Sequence, residues 1–289
     1  MILSKNIGNT PLIKISDKIY AKAELMNPSG SIKDRMASNI INSAERKGLI
    51  KKGDTIIEAT SGNAGISFAW LASERGYNVK IVMPCNMSDE RKKILKFYGA
   101  ELIEVGAGDF DTAIKLRDEL SEKNGWFNPR QFSNPLNIQA HFNGTSQEII
   151  DQLKGKDLSA IVSGTGTGGT LMGCHNRLIL KYPKLKTIAV EPAESPVMSG
   201  GCSGLHGIQG IGDGSKFLVD LGVVDKIYTI KTEDAKNKAL ELTKNLGLFV
   251  GISSGANILA CEKFIEEFNP DGKVVSFLCD RGDRYLSLF

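Results

Sequence analysis

Several things are missing from this chain, and each absence removes a class of function. No apolar run approaches the length of a membrane-spanning helix. The opening Met1-Ile2-Leu3-Ser4-Lys5-Asn6 lacks the apolar centre of a secretory signal, so a cytoplasmic protein is expected. Cysteine is sparse: Cys85, Cys174, Cys202, Cys261 and Cys279 lie far apart, odd in number and without a CxxC pair. That argues against a disulfide framework and for a reducing compartment. His141, His175 and His206 have no paired spacing, so no metal site is expected. Net charge is only +3, and no Lys/Arg cluster is interleaved with aromatics. Neither nucleic acid nor an anionic membrane is therefore an expected partner. Ser61 does not sit in a G-x-S-x-G elbow, although a Ser-His-Asp triad is not excluded by sequence.

What is present is an alternation of short β-branched runs with longer amphipathic ones. Strands are expected within 17–25 and at 55–59, 79–83, 101–105, 160–163, 187–191, 226–230 and 273–278. Helices are expected at 66–75, 88–97, 110–122, 144–153, 170–182, 232–246 and 254–268, with a further helix-like run at 36–41. The Gly- and Ser-rich stretch 195–214 reads as loop, as does the stretch with Pro129 and Pro135. Strand–helix alternation over the whole length predicts an α/β fold, two doubly wound domains with parallel sheets and a cleft between them.

Three strand-to-helix junctions and one lysine carry chemistry. Ser163-Gly164-Thr165-Gly166-Thr167-Gly168-Gly169-Thr170 follows a strand and opens a helix. Its glycines let several N–H groups face one point, the helix start adds partial positive charge, and the threonines add donors. Without Gly-Lys-Ser/Thr it is no nucleoside-triphosphate loop. A dinucleotide turn is the alternative, with Glu191 near the position of a ribose-binding acid, but the run is G-x-G-x-G-G. The second junction, Thr60-Ser61-Gly62-Asn63-Ala64, suits a carboxylate, and Asn63 could donate to a phenolate-like oxygen. The third is Gly251-Ile252-Ser253-Ser254-Gly255. Lys33, in Pro28-Ser29-Gly30-Ser31-Ile32-Lys33-Asp34-Arg35, becomes an imine-forming amine if burial lowers its pKa. Taken alone it is a surface lysine. Together, the amine, phosphate cradle, carboxylate loop and neutral hydroxyl point to pyridoxal 5'-phosphate with an amino acid entering.

These motifs, with Ile7-Gly8-Asn9-Thr10-Pro11-Leu12 before them, Gln131-Phe132-Ser133-Asn134-Pro135 and Ile208-Gln209-Gly210-Ile211-Gly212 between them and Gly282-Asp283-Arg284-Tyr285-Leu286-Ser287 after, follow a specific order. In it the chain resembles the cysteine synthase (O-acetylserine sulfhydrylase) and cystathionine β-synthase family of fold type II pyridoxal phosphate enzymes, related to the tryptophan synthase β fold. The resemblance implies that Lys33 holds the cofactor and moves the α-proton. It gives Asn63 to the phenolic oxygen, Gly166, Thr167, Gly168, Gly169 and Thr170 to the phosphate, and Ser253 to the ring nitrogen. Thr60, Ser61, Gly62 and Gln131 would receive the substrate carboxylate, with Ala64 beside them. It implies a homodimer with a smaller mobile domain at 35–135 (with 1–12) and a larger one at 136–289 (with 13–34). A serine at the ring nitrogen cannot stabilise a pyridinium as a carboxylate would, which favours β-elimination through an aminoacrylate, followed by addition of a nucleophile such as sulfide.

Departures from the family pattern qualify this expectation. Ala64 stands where cysteine synthases usually carry Thr, and Arg281 replaces a small hydroxyl residue without an assigned role. Asp213 brings a carboxylate into the Gly210-Ile211-Gly212-Asp213-Gly214 loop, either as a solvated turn residue or as a base for water or the second substrate. No haem-binding extension or regulatory tail is expected. Synthesis of cysteine from O-acetylserine or O-phosphoserine and sulfide is the first expectation. Cysteine β-elimination with release of hydrogen sulfide, forming serine or a thioether with Asp213 activating water, is the second. A cofactor-holding homologue without turnover and a nicotinamide-dependent dehydrogenase are the remaining alternatives.

Overall fold

A computed structural model describes residues 2–60 and 62–288. The β-branched runs assemble into two sheets. A six-stranded sheet has the order β1 (Leu12–Lys14), β2 (Ile19–Lys22), β9 (Lys273–Phe277), β6 (Leu158–Gly164), β7 (Lys186–Pro192), β8 (Lys226–Ile230). A three-stranded sheet has the order β3 (Thr55–Ala59), β4 (Asn78–Pro84), β5 (Glu101–Val105). Neighbours are parallel except β1 and β2, where Leu12 faces Lys22 in an antiparallel pair. The antiparallel pair agrees with the reading of 17–25 as a hairpin strand, while its partner β1 is not among the strands expected from sequence. The connection there is too short for a crossover, so a hairpin is the only pairing open to it.

Both faces of each sheet are covered, as strands apolar on both sides require. In β6, Ala160 and Val162 enter a core with Ala239 and Leu242 of α8 (Thr232–Leu246) and Ile258 and Phe264 of α9 (Ile252–Phe268). The alternate residues Leu158 and Ile161 enter a second core with Leu171 and Leu178 of α7 (Gly169–Leu178). In the small sheet, Ile56 and Ile81 pack on Met36 and Ile40 of α1 (Lys33–Arg46) and Phe68 of α2 (Asn63–Arg75). Ile57 and Val82 face Phe132 and Ala113 of α4 (Phe110–Asn124). α3 (Asp89–Phe97) lies beside α2 and β5.

Two segments join the sheets. Ile32 belongs to the core of the large sheet, whereas Met36, Ala37 and Ile40 belong to that of the small one. The buried side chain of Arg35 pairs with Glu24 at 2.7 Å and with Glu148 at 2.7 Å, and Lys22 reaches Glu148 at 2.5 Å. Against burial, which pushes it up, Arg35 and Lys22 hold the Glu148 carboxyl down to about 2. The second segment corrects two expectations. Asn134 caps a helix that Pro135 opens, α5 (Pro135–Ala140), so the predicted loop stops at Asn134. The helix predicted from 144 begins earlier, as a π-turn at His141–Thr145, before α6 (Ser146–Gln152).

Glycine lets α7 lie directly against this segment. A Cβ on Gly173 would meet the Ile138 carbonyl oxygen at 2.4 Å and His141 Cβ at 2.7 Å. Gly173→Ala is therefore expected to destabilise the protein by about 1–3 kcal/mol in urea unfolding. A loss below about 0.5 kcal/mol, the range of ordinary surface changes, would contradict this packing.

Candidate active site

The carboxyl ends of β3 and β6 face each other across a cleft, where ligands bind in open α/β sheets. An inner cavity there is lined by Lys33, Thr60, Asn63, Ala64, Gln131, Phe132, Thr167, Gly210 and Asp213. Seven of the residues expected at the site thus share one small space. Lys33 opens α1 immediately after the backbone docks on the strand end: Ile32 N–H donates to the Cys279 carbonyl at 2.9 Å. Burial pushes the Lys33 ammonium below its ordinary value, and Cys279, Asp213 and Asp280 act against that shift. Its neighbour Asp34 turns away, accepting from Ser29 N at 2.7 Å and Ser67 Oγ at 2.6 Å. The loop before the lysine is therefore fixed from behind.

The β6–α7 turn is the anion cradle. Gly168 adopts φ +85° at the helix start, a conformation glycine reaches without strain, and no side chain caps α7. None of the N–H groups of Gly166, Thr167, Gly168 or Thr170 finds a partner among the described residues. Asn137 Nδ2 donates to Thr167 Oγ1 at 2.9 Å, which leaves the threonine proton for a ligand. His141 Nε2 lies 3.2 Å from Thr170 Oγ1, and its Nδ1 lies 2.9 Å from Thr145 Oγ1. Burial, then Arg35 and Lys33, keep that imidazole neutral by pulling its pKa well below the usual value. Asn137 and His141 were not found from sequence. They bear on the site through a helix read as loop and through a π-turn, and nothing in their spacing signals it.

On the opposite wall, Gln131 donates from Nε2 to the Ala59 carbonyl at 2.7 Å, and its backbone N–H donates to Glu58 Oε2 at 2.9 Å. The buried Arg117 holds Glu58 at 2.7 Å. Thr60 Oγ1 accepts from Gly62 N–H at 3.0 Å. Ser61 lies outside the described residues. Of the cradle residues, Thr167 is on the cavity wall, while Gly166, Gly168, Gly169 and Thr170 form the turn behind it. Ser253 is not on the wall either; its hydroxyl faces the Cys279 sulfur at the start of α9. Asp213 makes no hydrogen bond within the described chain, and burial pushes its carboxyl upward. It also borders an outer chamber of about 340 Å³, lined by Asn86, Leu205 and His206 among others. Arg281 is surface-lying, 3.4 Å from Asp283.

A roomier cavity of about 600 Å³ lies at the amino ends of β6, β7 and β8, around Leu158, Lys186 and Phe264. That is the wrong end of a parallel sheet for a catalytic site, and Lys33 is not near it. Among the described residues, no helix is long and apolar enough to cross a membrane, and no side-chain cluster could hold a metal ion.

The family model described as "Pyridoxal-phosphate dependent enzyme" matches residues 3–280. A cysteine synthase of Staphylococcus aureus is 41% identical over 296 residues, covering 99% of this chain and 95% of that one. The O-ureido-L-serine synthase of Streptomyces lavendulae is 38% identical, covering 98% of this chain and 90% of its own. A hydrogen sulfide-producing enzyme of Fusobacterium nucleatum has the same fold, with TM-score 0.93 and 39% identity, covering 98% of this chain and 99% of that one. The chain belongs to the pyridoxal-phosphate dependent enzymes, in the cysteine synthase and cystathionine β-synthase family. It is an enzyme of the β-replacement type with pyridoxal 5'-phosphate as cofactor. The donor set suits that group: an amine that burial inclines to neutrality, and unpartnered N–H groups at a helix start.

Asn137→Ala is expected to weaken pyridoxal phosphate binding about tenfold, the value of one positioning hydrogen bond. Equilibrium titration of the apoprotein measures it. Unchanged affinity would mean that the Thr167 hydroxyl needs no orientation by Asn137.

Proposed function

We propose that the chain makes L-cysteine from a serine-derived amino acid, O-acetylserine or O-phosphoserine, and sulfide. The observation that carries this reading is Lys33 sharing one cavity with Thr60 and Gln131 on one side and Thr167 on the other. When bound, pyridoxal phosphate supplies the electron sink that lets a β-substituent leave an amino acid. Lys33 would hold the cofactor through Nζ and carry the substrate α-proton at the same atom; burial favours the neutral amine both tasks need. The N–H groups from Gly166 to Thr170, Gly169 included, with the Thr167 and Thr170 hydroxyls, would hold the phosphate. Asn63 would donate to the phenolic oxygen, and Ser253 would face the ring nitrogen without adding charge there. Thr60, Ser61, Gly62 and Gln131 would bind the substrate carboxylate, with Ala64 leaving space beside it.

A smaller unit, residues 35–135 with 1–12, would move relative to the larger, 136–289 with 13–34, to admit ligands to the cleft between the sheets. A homodimer in the cytoplasm completes the reading; five free cysteines, two of them exposed, suit a reducing compartment.

A second reading rests on Asp213. An unpartnered carboxylate between the inner cavity and the outer chamber is placed to take a proton from water or a thiol as it enters. The same site would then admit cysteine, expel sulfide and form serine or a thioether. Lys33→Ala is expected to remove at least about a thousandfold of turnover in either direction. Product analysis with O-acetylserine plus sulfide, and with cysteine alone, separates the readings; serine from cysteine, lost in Asp213→Asn, establishes the second. Burial holds the Asp213 proton to higher pH than usual, so its basic form appears as pH rises. Serine formation should climb with pH through that raised value, and a profile unaltered by Asp213→Asn would rule Asp213 out as the base.

A further inference from the structure

Asn63 is held by residues that follow the last strand of the other sheet. Its Oδ1 accepts from Arg284 Nη1, and its Nδ2 donates to Asp280 Oδ2 at 2.6 Å. A guanidinium only donates and an ionised carboxylate only accepts, so the amide has one orientation. One N–H goes to Asp280. The other is left for the cavity that Asn63 lines with Lys33. Asp280, Arg284 and Tyr285 are all buried, and Tyr285 Oη donates to Asp280 Oδ2 at 2.5 Å. Arg284 also donates to the Ser29 carbonyl in the loop before Lys33.

The fit around Asp280 is tight. A Cβ on Gly251 would lie 2.0 Å from Asp280 Oδ1 and 2.6 Å from the Tyr285 ring. The glycine thus lets the carboxylate reach Asn63. The same C-terminal turn grips the small-sheet unit at α3. Ser88 Oγ donates to the Arg284 carbonyl at 2.9 Å, and Arg91 Nη2 reaches Tyr285 Oη at 2.5 Å. Ser287 donates from N and Oγ to Glu90, each at 2.9 Å.

We infer that Asp280 and Arg284 are positioning residues that fix the Asn63 amide with an N–H toward the Lys33 cleft, and do so only while the C-terminal turn is docked on α3. The inference rests on the reading that Asn63 meets the phenolic oxygen of the cofactor. It adds a coupling: the donor is presented when the two units are together and is free to turn when they part.

Selective ¹⁵N-asparagine labelling of the apoprotein tests the orientation without cofactor or turnover. The Asn63 side-chain protons should be well separated in shift and slow to exchange. A narrow, solvent-like pair in the folded wild type would overturn the inference. Arg284→Met should collapse that separation, weaken pyridoxal phosphate roughly tenfold or more, and move holoprotein absorbance from the visible band to the near ultraviolet. Arg284→Lys, which keeps a donor, should restore part of each. Asp280→Asn supplies the same readouts if Arg284→Met does not fold. Unchanged amide signals in a folded variant of either residue would refute the positioning role. Changed amide signals with an unchanged absorbance band would instead show that Asn63 does not meet the cofactor, the reading on which the coupling depends.

Discussion

Ile32 donates its N–H to the Cys279 carbonyl, and Ser31 beside it pairs with Asp280 at the end of β9. One residue later the chain enters α1, whose apolar side belongs to the other sheet. Lys33 stands at this crossing. Ile32 is buried in one core and Met36 in the next, so the lysine has little freedom to leave the cleft. The phosphate cradle, the carboxylate wall and the proposed base all take their meaning from an amine fixed at that point.

The two sheets contribute differently. The large one offers a turn in which the N–H groups of Gly166, Thr167, Gly168 and Thr170 lack partners among the described residues, and whose threonine hydroxyls are oriented by Asn137 and His141. The small one offers a wall whose own polar groups are already committed: Gln131 to Ala59 and Glu58, and Glu58 to Arg117. An anion cradle needs free donors, whereas a recognition wall needs side chains that stay in place. Between them, on the cavity wall, Asp213, like the Lys33 amine, makes no hydrogen bond to the described residues.

Much of this was legible in the sequence for physical reasons. Short β-branched runs mark every strand of the two sheets except β1, and the turn after β6 is marked by its run of glycines and threonines between a strand and a helix. Lys33, Asn63 and Thr167 could be named because each sits in a local motif. The network of Asp280, Arg284 and Tyr285 could not be assigned. Its partners, Asn63 and Arg91, lie about two hundred residues away, and pairing at that distance leaves no periodic trace. The α5 segment reads as loop in the sequence because Pro129 and Pro135 look like breakers, whereas α6 lies within the helix expected at 144–153. Pro135 instead opens a helix, where its missing N–H costs nothing.

The most direct measurement is borohydride reduction of the holoprotein followed by peptide mapping. The account predicts a single reduced pyridoxyl adduct, on the Nζ of Lys33. An adduct on another lysine, or a tightly bound cofactor that leaves no adduct, would contradict it.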